Sequence, residues 1–242
     1  MSTTGKLRRF LAPFYALRRC MRQEIAAVVS GRQLRGRLID IGCGDKPNRD
    51  LFPDLNTYHG IDFKAFSANR DFKGGGPDFF FAEDYAQTWK LPFADTDYDH
   101  AAAFEVIEHH PCPDKFLAEL ARVIKPGGYV VLSWPLLFPL HEEPHDFQRL
   151  THYQLERLCR QNHLEVIEIR RVGGLIITVS AILNYGLAAC FDQGGWRKIP
   201  VLLAYPPFLA LQYLGLLADG QAPGRKVFTS YVALLARTES SP

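Results

Sequence analysis

Apolar residues recur at helical spacing from Leu7 to Val29: Leu7, Phe10, Leu11 and Phe14, then Leu17, Met21, Ile25, Val28 and Val29. Pro13 cannot donate an amide hydrogen and crowds the preceding turn, so the pattern predicts two helical pieces, ended by Gly31 and Gly36. Short apolar runs then alternate with helical periods. Arg37–Ile41, Thr57–Ile61, Phe79–Ala82, His100–Phe104 and Tyr129–Ser133 read as strands. Between the last two, Phe116, Leu117, Leu120, Val123 and Ile124 mark a helix closed by Pro126-Gly127-Gly128. Thr151 is placed to cap a helix reaching Asn162, and Leu164–Val172 follows as a strand. Strands alternating with helices imply a mostly parallel sheet covered on both faces.

After Gly173-Gly174 the pattern changes. Leu175–Phe191 is apolar and uncharged, and Ile199–Ala218 is a second uncharged run that Pro206-Pro207 is expected to break. Val227–Ala236 closes the chain as a strand before a polar tail. The second run approaches the length of a membrane span, but its central prolines argue against a simple crossing. Three uses compete for this apolar surface: an extra helical layer, a homodimer interface, or a face resting on a bilayer. Buried packing is favoured, because an apolar stripe is usually core.

With 47% apolar and 22% charged residues, the chain has the material for a substantial core. A net charge of +2 does not argue for a nucleic-acid partner. Charge distribution says more: Lys6 and eight arginines from Arg8 to Arg37 are opposed only by Glu24, giving a basic N-terminal arm. Five scattered cysteines without a C-x-x-C pair fit a reducing compartment and argue against a thiolate metal site. No long apolar segment follows the basic start, so a cytoplasmic protein is expected, with membrane association left open by the apolar runs.

The segment Leu38-Ile-Asp-Ile-Gly-Cys-Gly-Asp-Lys-Pro47 carries the strongest chemical signal. A buried strand enters the turn Gly42-Cys43-Gly44, where missing side chains let a ligand approach the backbone. Asp62, at the end of the next strand, lies at the offset from Asp40 where a carboxylate can accept from ribose hydroxyls. An adenosine ligand follows. The third glycine of a dinucleotide fingerprint is missing, and Asp45 would meet an anionic pyrophosphate, so an oxidoreductase is disfavoured. S-adenosylmethionine has no phosphate, and its cationic sulfonium tolerates acidic neighbours.

The successive segments IDIGCGDKP, YHGIDF, LPFADTDYDHAAAFEVIEHH and FLAELARVIKPGGYVVLSWP resemble, in order, the motifs of the class I methyltransferases, particularly the small-molecule, glycan and lipid methyltransferases. The resemblance implies an α/β, doubly wound, seven-stranded mostly parallel sheet, with an apolar helical insertion before the last strand. The expected division is a basic helical arm over 1–36, a core over 37–172, the insertion over 173–225, and the last strand and tail over 226–242. It also implies S-adenosylmethionine as cofactor. Asp40, Gly42, Cys43 and Gly44 would line its methionine part, Asp62 its ribose, Phe63 and then Asp84 or Glu83, with Tyr85 adjacent, its adenine, and Phe104 and Glu105 the region beneath the sulfonium. A non-catalytic module binding an adenosine ligand is the alternative.

The implied acceptor is a small molecule, a glycan or a lipid-linked intermediate. No Asn-Pro-Pro-Tyr-type motif follows the fourth strand, where Phe104-Glu105-Val106-Ile107 stands instead. Histidines and acids cluster after strand four (His109, His110) and strand five (His141, Glu142, Glu143, His145, Asp146). His145 is the expected base if the acceptor must lose a proton. No metal is expected, since Pro144 makes the second cluster a loop and its spacing is not that of H-E-x-x-H on a helix.

Overall fold

The short apolar runs become the strands of a single sheet in the computed structural model, which describes residues 12–63, 72, 75–81, 89–192, 198–219 and 226–238. They are β1 (Gly36–Ile41), β2 (Leu55–Phe63), β3 (Phe79–Phe81), β4 (His100–Phe104), β5 (Tyr129–Pro135), β6 (Leu164–Val172) and β7 (Ser230–Arg237), ordered β3-β2-β1-β4-β5-β7-β6. Pairings from β3 through β5 are parallel, with Asp40 beside Gly60 of β2 and Ala102 of β4. Strand β7 runs against both neighbours. Its end meets the start of β5 through Gly127 N–H to Arg237 O (2.9 Å), and its beginning meets the end of β5 through Leu136 N–H to Thr229 O (2.8 Å). On the other side Thr229 N–H donates to Val172 O and Thr238 N–H to His163 O. The sheet is thus the seven-stranded, mostly parallel one the motifs imply.

Leu38, Ile39 and Ile41 of β1 and Ala101–Ala103 of β4 are buried, as central parallel strands covered on both faces require. Helix α1 spans Tyr15–Val29, beginning just after Pro13; the piece expected before that proline lies outside the described residues. Helix α2 (Pro113–Val123) opens with proline, which has no amide hydrogen to leave orphaned, and buries Phe116, Leu117, Leu120 and Val123 along one face. In helix α3 (His152–Gln161) the Thr151 side chain accepts the Gln154 amide at 3.3 Å, as its cap position predicts.

Two compact units divide the chain: residues 25–135, 141–170 and 231–242 in one, and 1–24, 136–140 and 171–230 in the other. The second contains helices α4 (Leu175–Asp192) and α5 (Lys198–Ala218), which pack on each other. Gly215 allows this approach, since a Cβ there would lie 2.7 Å from Ile177 Cδ1. Asp219 accepts the Ile177 amide at 2.7 Å in the first turn of α4. In the same unit Gln212, buried on α5, accepts the Ala16 amide at 3.1 Å and donates to Ala12 O at 3.3 Å. Pro206 and Pro207 do not break α5, contrary to the sequence expectation. They cost two intrahelical hydrogen bonds, which leaves the apolar flanks on either side to hold the helix together. Leu203, Leu214 and Leu217 remain exposed on it. No helix of the described residues is long and apolar enough to cross a membrane.

Candidate active site

Strands β1, β2, β4 and β5 all deliver their carboxyl ends to the same side of the parallel sheet, the side where open α/β sheets bind ligands. Gly42 has φ +66°, and a Cβ there would stand 2.5 Å from Val106 Cγ2, so the turn after β1 requires glycine on two counts. The turn also crosses β2 closely: a Cβ on Gly60 would meet Cys43 Sγ at 2.4 Å. Asp62 locks this crossing, one carboxylate oxygen accepting the Gly44 amide at 2.8 Å and the other the Phe63 amide at 2.7 Å. Asp40 lies buried beneath and accepts from Tyr58 Oη at 2.6 Å. Burial pushes its carboxyl up to about 7, the Tyr58 hydrogen bond opposing and the Asp62 charge adding. The same burial, with Asp40 and Asp62 nearby, raises the Cys43 thiol. Lys46 reaches Asp78 at 2.6 Å, and the same Asp78 oxygen accepts the Gly60 amide at 2.7 Å. Burial opposes ionisation of Asp78, but Lys46 and that amide outweigh it and lower its pKa.

At the end of β4 the chain turns through Glu105, a non-glycine residue at φ +56°. Such a conformation costs on the order of 1–2 kcal/mol and persists only where neighbours hold it. Ser133 of β5 is that neighbour. The Glu105 amide donates to Ser133 O and Oγ, both at 3.1 Å, and Ser133 Oγ donates to Glu105 Oε1 at 2.9 Å. Phe104, half-buried, sits 6.5 Å from the Phe52 ring, which in turn lies 5.8 Å from Tyr58.

Beyond Glu105 a single 3-10 turn, Ile107–His109, meets the loop after β5. Phe147 N–H donates to Glu108 O at 2.9 Å, and Gln148 Nε2 reaches Ile107 O and His110 O at 3.1 and 2.9 Å. Glu108 is 1% exposed, and neither carboxyl oxygen has a hydrogen-bond partner. Burial, with Glu105 close by, raises its pKa well above the carboxylate range. His109 Nδ1 bonds the His145 carbonyl at 2.7 Å, and His141 Nδ1 lies 3.2 Å from Asp146 Oδ2. Both Nε2 atoms stand 3.8 Å from Glu108 Oε1. Burial lowers the His109 pKa, outweighing its bond to His145 O and the Glu142 charge. Asp146 is gripped by Arg149, whose Nη2 lies 2.7 Å from Oδ2. His110, with Nδ1 accepting the Cys112 amide at 3.1 Å, is pushed by burial down to about 4.

Residues 39–132 match the family model described as a methyltransferase domain. An uncharacterized methyltransferase of Mycobacterium marinum is 35% identical over 108 residues, 43% of this chain and 41% of that protein. Over residues 39–132 the chain matches a methyltransferase domain, and its sheet has the class I methyltransferase fold. A 27-O-demethylrifamycin SV methyltransferase of Amycolatopsis mediterranei is 32% identical over 109 residues, 43% of this chain and 40% of its own. The chain thus spans about two fifths of the length of these curated relatives. A chain from the solved complex between the Haloferax volcanii Trm112 methyltransferase activator and a methyltransferase shares the fold, with a TM-score of 0.53 at 17% identity, covering 92% of this chain and 90% of that one.

Within the methyltransferase domain, Asp40, Gly42, Cys43, Gly44, Asp62 and Phe63 come together at the β1–β2 end, and Phe104 and Glu105 stand at the end of β4. Asp84 and Tyr85 lie outside the described residues. His145 meets the domain's β4 turn with its backbone carbonyl. Sequence reasoning missed Asp78 and Ser133, which orient the turns after β1 and β4. Proline before Asp78 at a strand entrance was the available signal.

Proposed function

We propose that this chain transfers a methyl group from S-adenosylmethionine to a small-molecule, glycan or lipid-linked acceptor, in the cytoplasm or at its membrane surface. The observation that carries the reading is the Asp62 clamp. Two backbone amides orient a carboxylate across a glycine turn, and a carboxylate has four acceptor sites for the two amides and for ribose hydroxyl donors. The turn supplies no helix N-terminus for a pyrophosphate, and buried Asp40 beside it suits a cationic ligand. When bound, the cofactor supplies an activated methyl group, so the protein's task is to hold an acceptor in line with it. Glu105, fixed by Ser133, borders that line, and His145 is the loop residue offered as base for an acceptor that must lose a proton. The exposed leucines of α5 support a contact with a membrane surface or a second copy.

Calorimetry tests the reading. S-adenosylmethionine and S-adenosylhomocysteine are expected to bind, and nicotinamide dinucleotides not to. Binding of the dinucleotide alone overturns it; cofactor binding with no turnover over a panel of hydroxylated acceptors leaves the non-catalytic module.

A further inference from the structure

Glu108 poses a problem that the methyl-transfer reading does not solve. A carboxyl group stripped of water without a hydrogen bond costs several kcal/mol if it stays ionised, and about 1–3 kcal/mol even when neutral. Two imidazole nitrogens, His109 Nε2 and His141 Nε2, each stand 3.8 Å from Oε1, too far for a hydrogen bond. They are not too far to share an ion. One donor atom from each of Glu108, His109 and His141 lies within 4.8 Å of the others. Around a tetrahedral ion with bonds near 2.0–2.1 Å, ligand atoms stand roughly 3.3 Å apart, so each pair needs to close by about 1.5 Å or less.

The ring orientations point the same way. A metal-binding imidazole donates its other N–H to a carbonyl or carboxylate, which fixes the tautomer and leaves a lone pair facing the ion. His109 does this through Nδ1 to the His145 carbonyl, and His141 through Nδ1 to Asp146, itself held by Arg149. Each Nε2 then keeps its lone pair, 3.8 Å from Oε1 of the buried Glu108. Glu142 Oε2, 3.8 Å from His109 Nε2, stands at the rim.

We infer that Glu108, His109 and His141 form a binding site for one divalent transition-metal ion, of which zinc fits the donor set best. Two imidazoles and one carboxylate suit zinc or its transition-metal neighbours over magnesium or calcium, which prefer all-oxygen shells. Three protein ligands leave a coordination position for water or a substrate oxygen. Ion binding itself does not depend on the methyl-transfer reading. The role it suggests does: an ion beside Glu105 would polarise an acceptor hydroxyl and ease its deprotonation. The linear sequence hides such a site because its donors come from two loops that only the sheet brings together.

The full chain, stripped with a chelator and dialysed, is titrated with Zn²⁺ alone by calorimetry and with Co²⁺ by visible absorption. One ion per chain is expected, with a Co²⁺ spectrum of low coordination number. Glu108→Gln and His141→Ala are each expected to weaken binding by about a hundredfold or more, while His163→Ala, on an exposed residue outside the cluster, leaves it unchanged. Circular dichroism checks each fold, and if one ligand variant does not fold the other carries the comparison. Absence of stoichiometric binding, or unchanged affinity in a folded ligand variant, overturns the inference. S-adenosylhomocysteine binding is measured in parallel: zinc bound without it removes the methyl-transfer reading and leaves the metal site, and the converse removes the metal site alone.

Discussion

Two acid-rich corners at the carboxyl edge of the sheet are built on opposite principles. At the β1–β2 corner Asp62 accepts two backbone amides and Asp40 accepts the Tyr58 hydroxyl. At the β4–β5 corner Glu108 is buried as deeply and accepts nothing. A satisfied carboxylate is finished by the fold and adds outward-facing acceptors for a ligand. An unsatisfied one is a cost that the fold alone leaves standing, and the metal-site inference rests on it. The corners also differ in what holds them: local glycine geometry in one, side chains from two distant loops in the other.

The sharpest separation of the corners is kinetic. With a working acceptor, His145→Ala is expected to lower turnover by about 10²–10⁴ while cofactor affinity stays nearly constant. Its carbonyl, which holds His109, survives the substitution, so zinc affinity is expected to hold as well. Turnover equal to the parent chain would reduce the ring to a bystander.

The next effect is the pH dependence that Asp40 contributes at the β1–β2 corner. An acid whose folded pKa lies above its unfolded value keeps its proton longer in the native state. Its stabilising contribution is therefore complete below the unfolded value of 3.8 and is lost as pH rises toward about 7, by at most about 4 kcal/mol for Asp40. Asp40→Asn is expected to flatten the stability curve across that window, read as denaturation midpoints at successive pH values. Parallel curves for parent and variant would show that Asp40 ionises without penalty.

Asp62→Ala is expected to weaken S-adenosylhomocysteine binding by about 1.5–3 kcal/mol in calorimetry, through loss of charge-assisted hydrogen bonds, and to leave zinc binding untouched. Coupled losses of both ligands would mean the corners are not separate. The smallest expected change has the opposite sign. Glu108→Leu removes an unpaired buried carboxyl, so the metal-free chain is expected to gain about 1–2 kcal/mol in chemical denaturation. Destabilisation there would show that the carboxyl does find partners in solution.

Much of the fold was legible from local pattern. Every strand expected from the sequence pattern lies in the sheet, and the central parallel ones, β1 and β4, are written as short apolar segments. Thr151 marked its helix, since capping is a contact three residues long. Pro206-Pro207 misled, because a helix that loses two of its own hydrogen bonds can still be held by the apolar turns on either side, and a local rule does not see that.

The site divides in the same way. Gly42, Gly44 and Asp62 were readable because the turn's geometry depends on side chains that are missing and on one carboxylate at a fixed offset, both properties of the linear chain. The sequence by itself determined the order of strands and helices and the glycine turn. The tertiary structure decided that β7 would lie between β5 and β6, that Ser133 would hold Glu105 at positive φ, and that His141 would face Glu108. Each of these depends on which strand ends the sheet sets side by side, and hydrogen-bond pairing between distant segments leaves no periodicity in either segment alone.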